Sequence, residues 1–211
     1  MVREAVACGV PLQMLVLRED VDFEAPAERV VRLGARAFRA VGQTVTPQGV
    51  LALAPRTQAP MGQAVAAAKA AGWPLVVLDG VQDPGNVGAI CRTAAAAGAP
   101  ALAVLEGGAD PFGPKAVRAS AGNVFRLTVA RGRWGDLAGV GGYGATAAGG
   151  VRWDRADLVD APLIAFGNEA RGLSRPDLEP LTVPMAPGVE SLNVAAAVAV
   201  VLFEICRRGA A

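Results

Sequence analysis

The chain has 211 residues, enough for one sizeable domain or for a medium domain with a small one attached. Hydrophobic residues make up 53% of it, which argues against global disorder. Histidine is absent, which excludes Ser-His-Asp and Cys-His catalysis and a histidine-based zinc site, and the net charge of +1 alone gives no argument for nucleic-acid binding.

The cysteines and the N-terminus indicate the compartment. Cys8, Cys91 and Cys206 are far apart and form no CxxC, so we expect neither a disulfide framework nor a metal site. The N-terminus lacks the charged region and long apolar run of a signal peptide. The most apolar segment, 194–203, is about half as long as a membrane span and is typical of a buried helix. We expect a cytoplasmic protein that contacts no membrane.

Residues 1–55 have the pattern of a small α/β domain. Apolar runs predict strands over 12–17 and 49–54. Between them, 26–41 is predicted as a helix with basic residues on its polar side. Pro55, Pro60 and Gly62 among polar residues then predict a linker over 56–62.

Residues 63–211 alternate between strand and helix patterns. The continuous apolar run 75–78 is typical of a strand whose two faces are both covered, and alanine content predicts a helix over 89–97 that Gly98 ends. We predict further strands over 101–105, 125–129, 144–148 and 163–166, and further helices over 114–121 and 192–207. This alternation favours an α/β fold with a mainly parallel sheet.

One stretch of the second domain has a single sign of charge. Between Asp110 and Asp136 there is no acidic residue. The basic residues in that stretch are Lys115, Arg118, Arg126, Arg131 and Arg133. Such a stretch can form a local anion-binding face, and a solvated basic loop is an equally good interpretation.

The first polar cluster follows the strand 75–78. The loop 79–88 is rich in glycine, and Asn86 could cap the next helix. Arg92 lies six residues later, less than two turns along that helix. An asparagine and an arginine near a helix N-terminus suit a phosphate clamp. The alternative is a cap followed by an ordinary surface arginine.

The second polar cluster follows the strand 163–166. Gly167 directly after an apolar strand permits a ligand to approach the backbone, and Glu169 is presented at the strand end. The alternative is a turn with a solvated acid. The glycine spacing is not GxGxxG, so neither a dinucleotide site nor a P-loop is indicated.

The third polar cluster precedes the last helix. Ser191 opens an otherwise apolar helix and could be only its N-cap. That does not explain Asn193, a poor helix residue within the first turn of a helix of alanines and valines. A polar side chain there suggests a function at the mouth of the helix.

Together the three clusters resemble the signature motifs of the SpoU (TrmH-type) RNA ribose 2′-O-methyltransferases of the SPOUT superfamily. The sequences LDGVQDPGNVGAICRTA, FGNEARGLS and VPMAPGVESLNVAAAVAVVLFE are similar to motifs one, two and three in order and spacing. KAVRASAGNVFRL is similar to the basic segment between motifs one and two. The resemblance covers residues 73–208.

The resemblance implies features that no periodicity would predict. They are a trefoil knot at the C-terminal end of the sheet, S-adenosylmethionine as cofactor, and an active site completed across a homodimer. Residues 1–55 resemble the family's small RNA-binding domain, related to ribosomal proteins of the L7Ae/L30e type. Residues 1–55 match the middle and end of that domain, so we expect a late start or a trimmed domain that lacks the opening strand and helix. Ribosomal RNA is the favoured substrate and transfer RNA the alternative.

The resemblance also implies roles for single residues. The implied catalytic residues are Arg92, Asn86, Glu169, Ser191 and Asn193. The implied cofactor-binding residues are Leu163, Gly167, Asn168, Val183, Met185, Ser191, Leu192 and Asn193. The candidates for RNA contact are Lys115, Arg118, Ser120 and Arg126.

Arg92 is implicated in removing the proton of the ribose 2′-hydroxyl. Free arginine stays protonated far above neutral pH, so Arg92 as a literal base needs a special environment. The alternative is that Arg92 binds a neighbouring phosphate and orients the hydroxyl. The sequence leaves both open.

Three other functions compete with this interpretation. A non-catalytic RNA-binding dimer of the same fold would be expected to lose part of the polar set. A related knotted enzyme could methylate a base instead of a ribose. A generic nucleotide-binding α/β protein is disfavoured because no phosphate-loop motif is present.

Overall fold

The computed structural model describes residues 1–42, 48–168, 170–175 and 177–209. The chain divides into two compact units, Met1–Thr57 and Gln58–Ala211. No helix within the described ranges is both long and apolar enough to span a bilayer.

The first unit is a three-stranded sheet with two short helices. Its elements are α1 (Val2–Ala7), β1 (Met14–Arg18), β2 (Val30–Leu33), α2 (Ala35–Val41) and β3 (Val50–Leu53). The strand order is β2-β1-β3, with β2 parallel and β3 antiparallel to the central β1. Leu12, Leu15 and Leu17 form its buried core, so alternate residues of β1 face inward.

The predicted helix 26–41 is wrong in its first half. Val30 to Leu33 form strand β2, which pairs with β1 in the register Leu15↔Val30, and the helix begins only at Ala35. Two adjacent β-branched valines favour the pleated conformation over the helix, and Gly34 then turns the chain into α2.

The second unit contains a seven-stranded sheet. Its elements are α3 (Met61–Ala70), β4 (Leu75–Asp79), α4 (Pro84–Ala97), β5 (Ala101–Leu105), α5 (Pro114–Ala119), β6 (Thr128–Gly132), β7 (Tyr143–Thr146), β8 (Val151–Arg152), β9 (Leu163–Gly167), β10 (Glu179–Thr182) and α6 (Val194–Gly209). The order is β6-β5-β4-β9-β7-β10-β8, and every pair of neighbours is parallel. The predicted α/β fold with a mainly parallel sheet is confirmed.

Helices cover both faces of the central strands. Val76 and Leu78 of β4 pack in the core that contains α4 and α6 residues, whereas Leu75 and Val77 pack with residues of α3. All five residues of β4 are buried, and so are all five of β5. This two-sided burial explains why these strands are apolar without alternation.

Two boundaries differ from the predictions. The predicted strand 125–129 starts late, because Asn123–Arg126 forms a 3-10 helix after Gly122, which has a positive φ of 88°. The segment 56–62, expected to be a linker, includes Ala59, which bridges to β6, and the first residues of α3. Pro60 precedes α3 in an extended conformation, and such a residue can open a helix.

A glycine allows α4 and α5 to pack closely. A Cβ added at Gly88 would lie 2.3 Å from the carbonyl oxygen of Ala116 and 2.5 Å from the Cβ of Ala119. A side chain at this position would therefore push α5 away from α4.

We expect Gly88→Ala to lower the free energy of unfolding by about 1–3 kcal/mol through overpacking. Gly62→Ala in α3 is the matched control, because a Cβ there meets nothing within 4 Å. The control should stabilise by up to about 1 kcal/mol, since alanine is the better helix former. Urea unfolding measures both, and equal effects of the two substitutions would contradict the packing argument.

The C-terminal end of α6 is held by a charged network. Glu204 accepts hydrogen bonds from Arg207 Nη2 at 2.7 Å and Arg208 Nε at 2.7 Å. Arg208 in turn donates to the carbonyl oxygens of Ala156 at 2.6 Å and Asp154 at 2.7 Å, in the turn after β8. The hydrogen bonds from Arg207 and Arg208 lower the pKa of Glu204 to about 2.

We expect Glu204→Gln to lower the melting temperature at neutral pH more than the control Glu106→Gln, whose side chain is exposed. Because the folded pKa is depressed, the stabilisation is complete above the unfolded value of about 4.3. It is lost as the pH falls towards about 2. The difference between Glu204→Gln and the native chain should therefore shrink below about pH 4. A difference that does not change with pH would rule out the charged network.

Candidate active site

The register of two central strands brings the first and second polar clusters together. β4 and β9 are parallel neighbours, and Asp79 at the end of β4 pairs with Gly167 at the end of β9. The loops that follow both strands therefore leave the same edge of the sheet side by side. This edge is where ligands bind in open α/β folds.

A cavity of about 540 Å³ lies at this edge. It is lined by residues of β7, β9 and β10, of the loop after β9 and of α6. Its apolar lining includes Phe166, Leu181, Val194, Ala197 and Val201. The volume is within the range of pockets for cofactor-sized ligands.

Six of the eight predicted cofactor residues line the cavity. They are Gly167, Asn168, Val183, Met185, Ser191 and Leu192. The second and third polar clusters thus meet in one place, although they are separated in the sequence.

Leu163 is not among the described residues that line the cavity. It begins β9, at the opposite end of the strand from Gly167, and its side chain is fully buried in the core beside α3. Gly142 packs against its backbone, because a Cβ at Gly142 would lie 2.2 Å from the Leu163 carbonyl oxygen. The prediction that Leu163 contacts the cofactor is therefore not supported.

Position 167 requires a glycine because another part of the backbone packs against it. A Cβ there would lie 2.3 Å from the carbonyl carbon of Gly172 and 2.6 Å from the amide nitrogen of Leu173. The sequence predicted that a ligand approaches this glycine. The structure shows that the loop after β9 crosses back over it and then lines the cavity.

Asn168 holds the loop after β9 in shape. Its Nδ2 donates to the Gly80 carbonyl oxygen at 3.0 Å, and its Oδ1 accepts from the amides of Ala170 at 2.9 Å and Arg171 at 3.1 Å. Asn168 therefore ties the second cluster to the start of the first. Glu169, an expected catalytic residue, lies outside the described residues.

Asn193 is the N-cap of α6. Its Oδ1 accepts from the amides of Ala195 at 2.9 Å and Ala196 at 3.3 Å, so the helix begins at Val194 and not at 192 as predicted. Ser191, expected to open the helix, lies two residues earlier in the cavity wall. The other end of the Asn193 amide donates to Asn86 Oδ1 at 3.2 Å. Motif three and motif one are thus in direct contact.

Asp83, and not Asn86, caps α4. The Asp83 carboxylate accepts from the Asn86 amide at 3.2 Å, and Pro84 occupies the first turn, where proline is favoured. A hydrogen bond from Lys115 to Asp83, with backbone donors, lowers the pKa of the Asp83 carboxyl. The cap therefore stays ionised.

Arg92 is exposed on α4 and is not among the described residues that line the cavity. Its neighbour Cys91 is buried, and burial raises the pKa of the Cys91 thiol to about 12, which excludes a thiolate nucleophile at neutral pH. Arg92 lies on the same helix as Asn86, which accepts a hydrogen bond from Asn193, the residue between the cavity-lining Leu192 and Val194.

The predicted RNA contacts differ in accessibility. Arg118 and Arg126 are exposed, and the Lys115 ammonium forms an exposed ion pair of 2.8 Å with Asp83. Ser120 is fully buried, and its hydroxyl donates to the Val117 carbonyl oxygen and accepts from the Gly122 amide. The structure thus contradicts Ser120 as a surface contact, because it shapes the turn after α5.

Sequence reasoning missed two cationic residues in the cavity wall and one buried carboxylate beside it. Arg171 and Arg175 line the cavity, and Asp79 is only 8% exposed at the end of β4. A carboxylate that ends an otherwise apolar buried strand was the available signal, since buried acids are rare without partners.

Comparison with known proteins identifies the family. Residues 74–203 match the model of the SpoU rRNA Methylase family, which is more than half of the chain. The chain belongs to the SpoU family. The seven-stranded parallel sheet agrees with the folds of SpoU-family methyltransferases.

Relatives and solved structures extend over nearly the whole chain. The chain is 30% identical to the 23S rRNA (guanosine(2553)-2′-O)-methyltransferase RlmP of Bacillus subtilis, over 97% of this chain and 85% of that protein. It is similar to the crystal structure of the SpoU methyltransferase AviRb from Streptomyces viridochromogenes in complex with AdoMet, with a TM-score of 0.82 and 25% identity, over 99% of this chain and 87% of the other. An AdoMet-bound rRNA methyltransferase from Sinorhizobium meliloti gives a TM-score of 0.82 at 29% identity, over 98% of this chain and 84% of the other.

Substitutions at Asn193 should separate capping from the contact with Asn86. Asn193→Ala removes both and should lower the free energy of unfolding by about 1 kcal/mol. Asn193→Asp keeps the cap, because a carboxylate accepts from the same amides and favours a helix N-terminus, but it cannot donate to Asn86. We expect Asn193→Asp to unfold at a denaturant concentration near that of the native chain. Equal destabilisation by both substitutions would mean that the link to Asn86 outweighs the cap.

Proposed function

We propose that this SpoU-family chain transfers a methyl group from S-adenosylmethionine to a ribose 2′-hydroxyl in RNA. The observation that carries the proposal is the meeting of motif-two and motif-three residues around one cavity, with Asn193 hydrogen-bonded to Asn86 of motif one. Ribosomal RNA is the proposed substrate, because RlmP is named for 23S rRNA and the Sinorhizobium protein for rRNA.

The cavity suits S-adenosylmethionine in volume and in lining. Apolar side chains from β9, β10 and α6, including Phe166, Leu181 and Val201, form a surface for the adenine ring. Gly167, Met185 and Leu192 supply backbone groups at the edge. When bound, the cofactor supplies a methyl group that is already activated on a sulfonium, so the contribution of the chain is to position the RNA hydroxyl and accommodate its proton.

Arg92 is the proposed residue for the ribose. Its exposed guanidinium can bind the phosphate next to the target nucleotide and orient the 2′-hydroxyl, because guanidinium and phosphate pair through parallel hydrogen bonds. Arg92 as the acceptor of the hydroxyl proton is the second possibility, and it requires that RNA binding desolvate the side chain.

A homodimer is proposed to complete the site. Large apolar side chains are exposed on the second unit, among them Val189 at 53%, Leu192 at 41% and Phe203 at 51%. Apolar surface of this kind is typical of an interface, and Leu192 also lines the cavity. A partner that covers these residues could bring its own Arg92 to the cavity.

The trefoil knot remains a proposal for the C-terminal part of the sheet. Two observations support it: β9 lies between β4 and β7 although it follows β8 in the chain, and the loop after β9 crosses back over Gly167.

We also propose that the protein acts in the cytoplasm. The first unit is proposed to bind RNA as a member of the L7Ae/L30e type. Residues 29–56 of this unit contain five arginines and no acidic residue, which favours contact with a phosphate backbone.

The function is tested by incubating the protein with labelled S-adenosylmethionine and separate ribosomal and transfer RNA fractions. We expect label in ribosomal RNA, at a nucleotide whose 3′ phosphodiester resists alkaline cleavage. Label on a base would indicate the related base-modifying chemistry, and RNA binding without label would indicate a non-catalytic module.

Arg92→Ala should lower methyl transfer to RNA by about 100-fold or more, because loss of substrate positioning has effects of this size. The affinity for S-adenosylmethionine, measured by calorimetry, should not change. Arg155→Ala removes another exposed arginine and is the control. Near-normal transfer by Arg92→Ala would exclude Arg92 from the mechanism.

A further inference from the structure

Both ends of the loop after β9 are attached to two consecutive residues at the end of β4. The loop comprises residues 168–175, of which the structure describes all but 169. At its start, Asn168 donates to the carbonyl oxygen of Gly80 at 3.0 Å. At its end, the amide of Ser174 donates to Asp79 at 2.6 Å. Both attachments therefore reach the dipeptide Asp79-Gly80.

Asp79 is the centre of the second attachment. One carboxylate oxygen, Oδ2, accepts from the Ser174 amide at 2.6 Å, from the Ser174 hydroxyl at 2.7 Å and from Trp134 Nε1 at 3.1 Å. Trp134 Nε1 also lies 3.0 Å from the Ser174 hydroxyl oxygen, so the three side chains form a closed set of contacts. Hydrogen bonds to a nearly buried carboxylate are stronger than those between neutral groups.

The same contacts extend to the cavity wall. The guanidinium of Arg175 lies 5.3 Å from the centre of the Trp134 ring, and Arg175 lines the cavity together with Gly172 and Leu173. Asp79, Trp134 and Ser174 are themselves absent from the described lining. Asp79 and Trp134 contact the loop without lining the cavity, which leaves the lining surface to a ligand.

We propose that Asp79, Ser174 and Trp134 are positioning residues that hold the described residues of this loop, 168 and 170–175, in their binding conformation and so set the affinity of the cavity for S-adenosylmethionine. This inference rests on the proposed function of the cavity. A released loop must be ordered again at each binding event, and that cost lowers the apparent affinity. The three residues do not contact the cavity, so their loss affects cofactor binding more than the rate at saturation.

Three substitutions test the contacts. Ser174→Ala removes the hydroxyl, Trp134→Phe removes one donor, and Ser174→Thr keeps the hydroxyl at an exposed position. Trp73→Phe is the matched control, because Trp73 packs against the core and is not in the described cavity lining.

The first readout is cofactor binding and steady-state kinetics. We expect Ser174→Ala and Trp134→Phe to raise both the calorimetric Kd and the KM for S-adenosylmethionine about tenfold, with kcat at saturation within about threefold of the native value. Ser174→Thr and Trp73→Phe should leave the Kd within about twofold. An unchanged Kd in Ser174→Ala, or a loss of kcat at constant KM, would overturn the proposal.

The second readout needs no cofactor. Hydrogen exchange of the amides of residues 170–174 in the free protein should be about tenfold faster in Ser174→Ala than in the native chain and near native in Ser174→Thr. Equal exchange in the native and Ser174→Ala proteins would show that the Ser174 hydroxyl does not hold the loop, and it would overturn the proposal. If the native chain failed to bind S-adenosylmethionine while this difference persisted, the proposed function would be wrong and the role of the Ser174 hydroxyl, which donates to Asp79, in holding the loop would stand.

Discussion

The parallel pairing of β4 with β9 is the constraint on which the candidate site depends. The register sets Asp79 beside Gly167, so that the loops after the two strands leave the sheet together. Apolar side chains on both faces of these strands fix the register, because a shift by one residue would exchange the two buried faces. The geometry of the cavity is thus a consequence of core packing several residues away from it.

Several polar residues of the site have structural roles. The sequence alone did not show whether these residues serve the fold or the reaction. Asn193 caps α6 with its oxygen and reaches Asn86 with its nitrogen, and Asn168 closes a turn while it holds Gly80. An amide can do this because it has a donor and an acceptor on one planar group. Helix capping and loop closure therefore place the same side chains that the family resemblance implicates in catalysis or in cofactor binding.

Local patterns predicted the elements whose burial is uniform, and missed features that depend on distant contacts. The run that forms β5 has the predicted bounds, since two-sided burial leaves only apolar residues there. The strand Val30–Leu33 was missed because its pairing with β1 stabilises it. The burial of Ser120 was missed because it results from the turn after α5. Gly167 was predicted as a site residue, but the reason for the glycine, the close approach of Gly172, was not predicted. Asp79 was overlooked because its hydrogen-bond partners are 55 and 95 residues away in sequence.

We propose that loops from motifs two and three, joined to motif one through Asn86, form one binding site for the cofactor. Hydrogen exchange of the native chain with and without S-adenosylhomocysteine tests this site most directly. We expect the ligand to slow exchange in residues 166–175 and 183–197 and to leave the Met1–Thr57 unit unchanged. Protection confined to other parts of the chain, or protection of only one of the two segments, would contradict it.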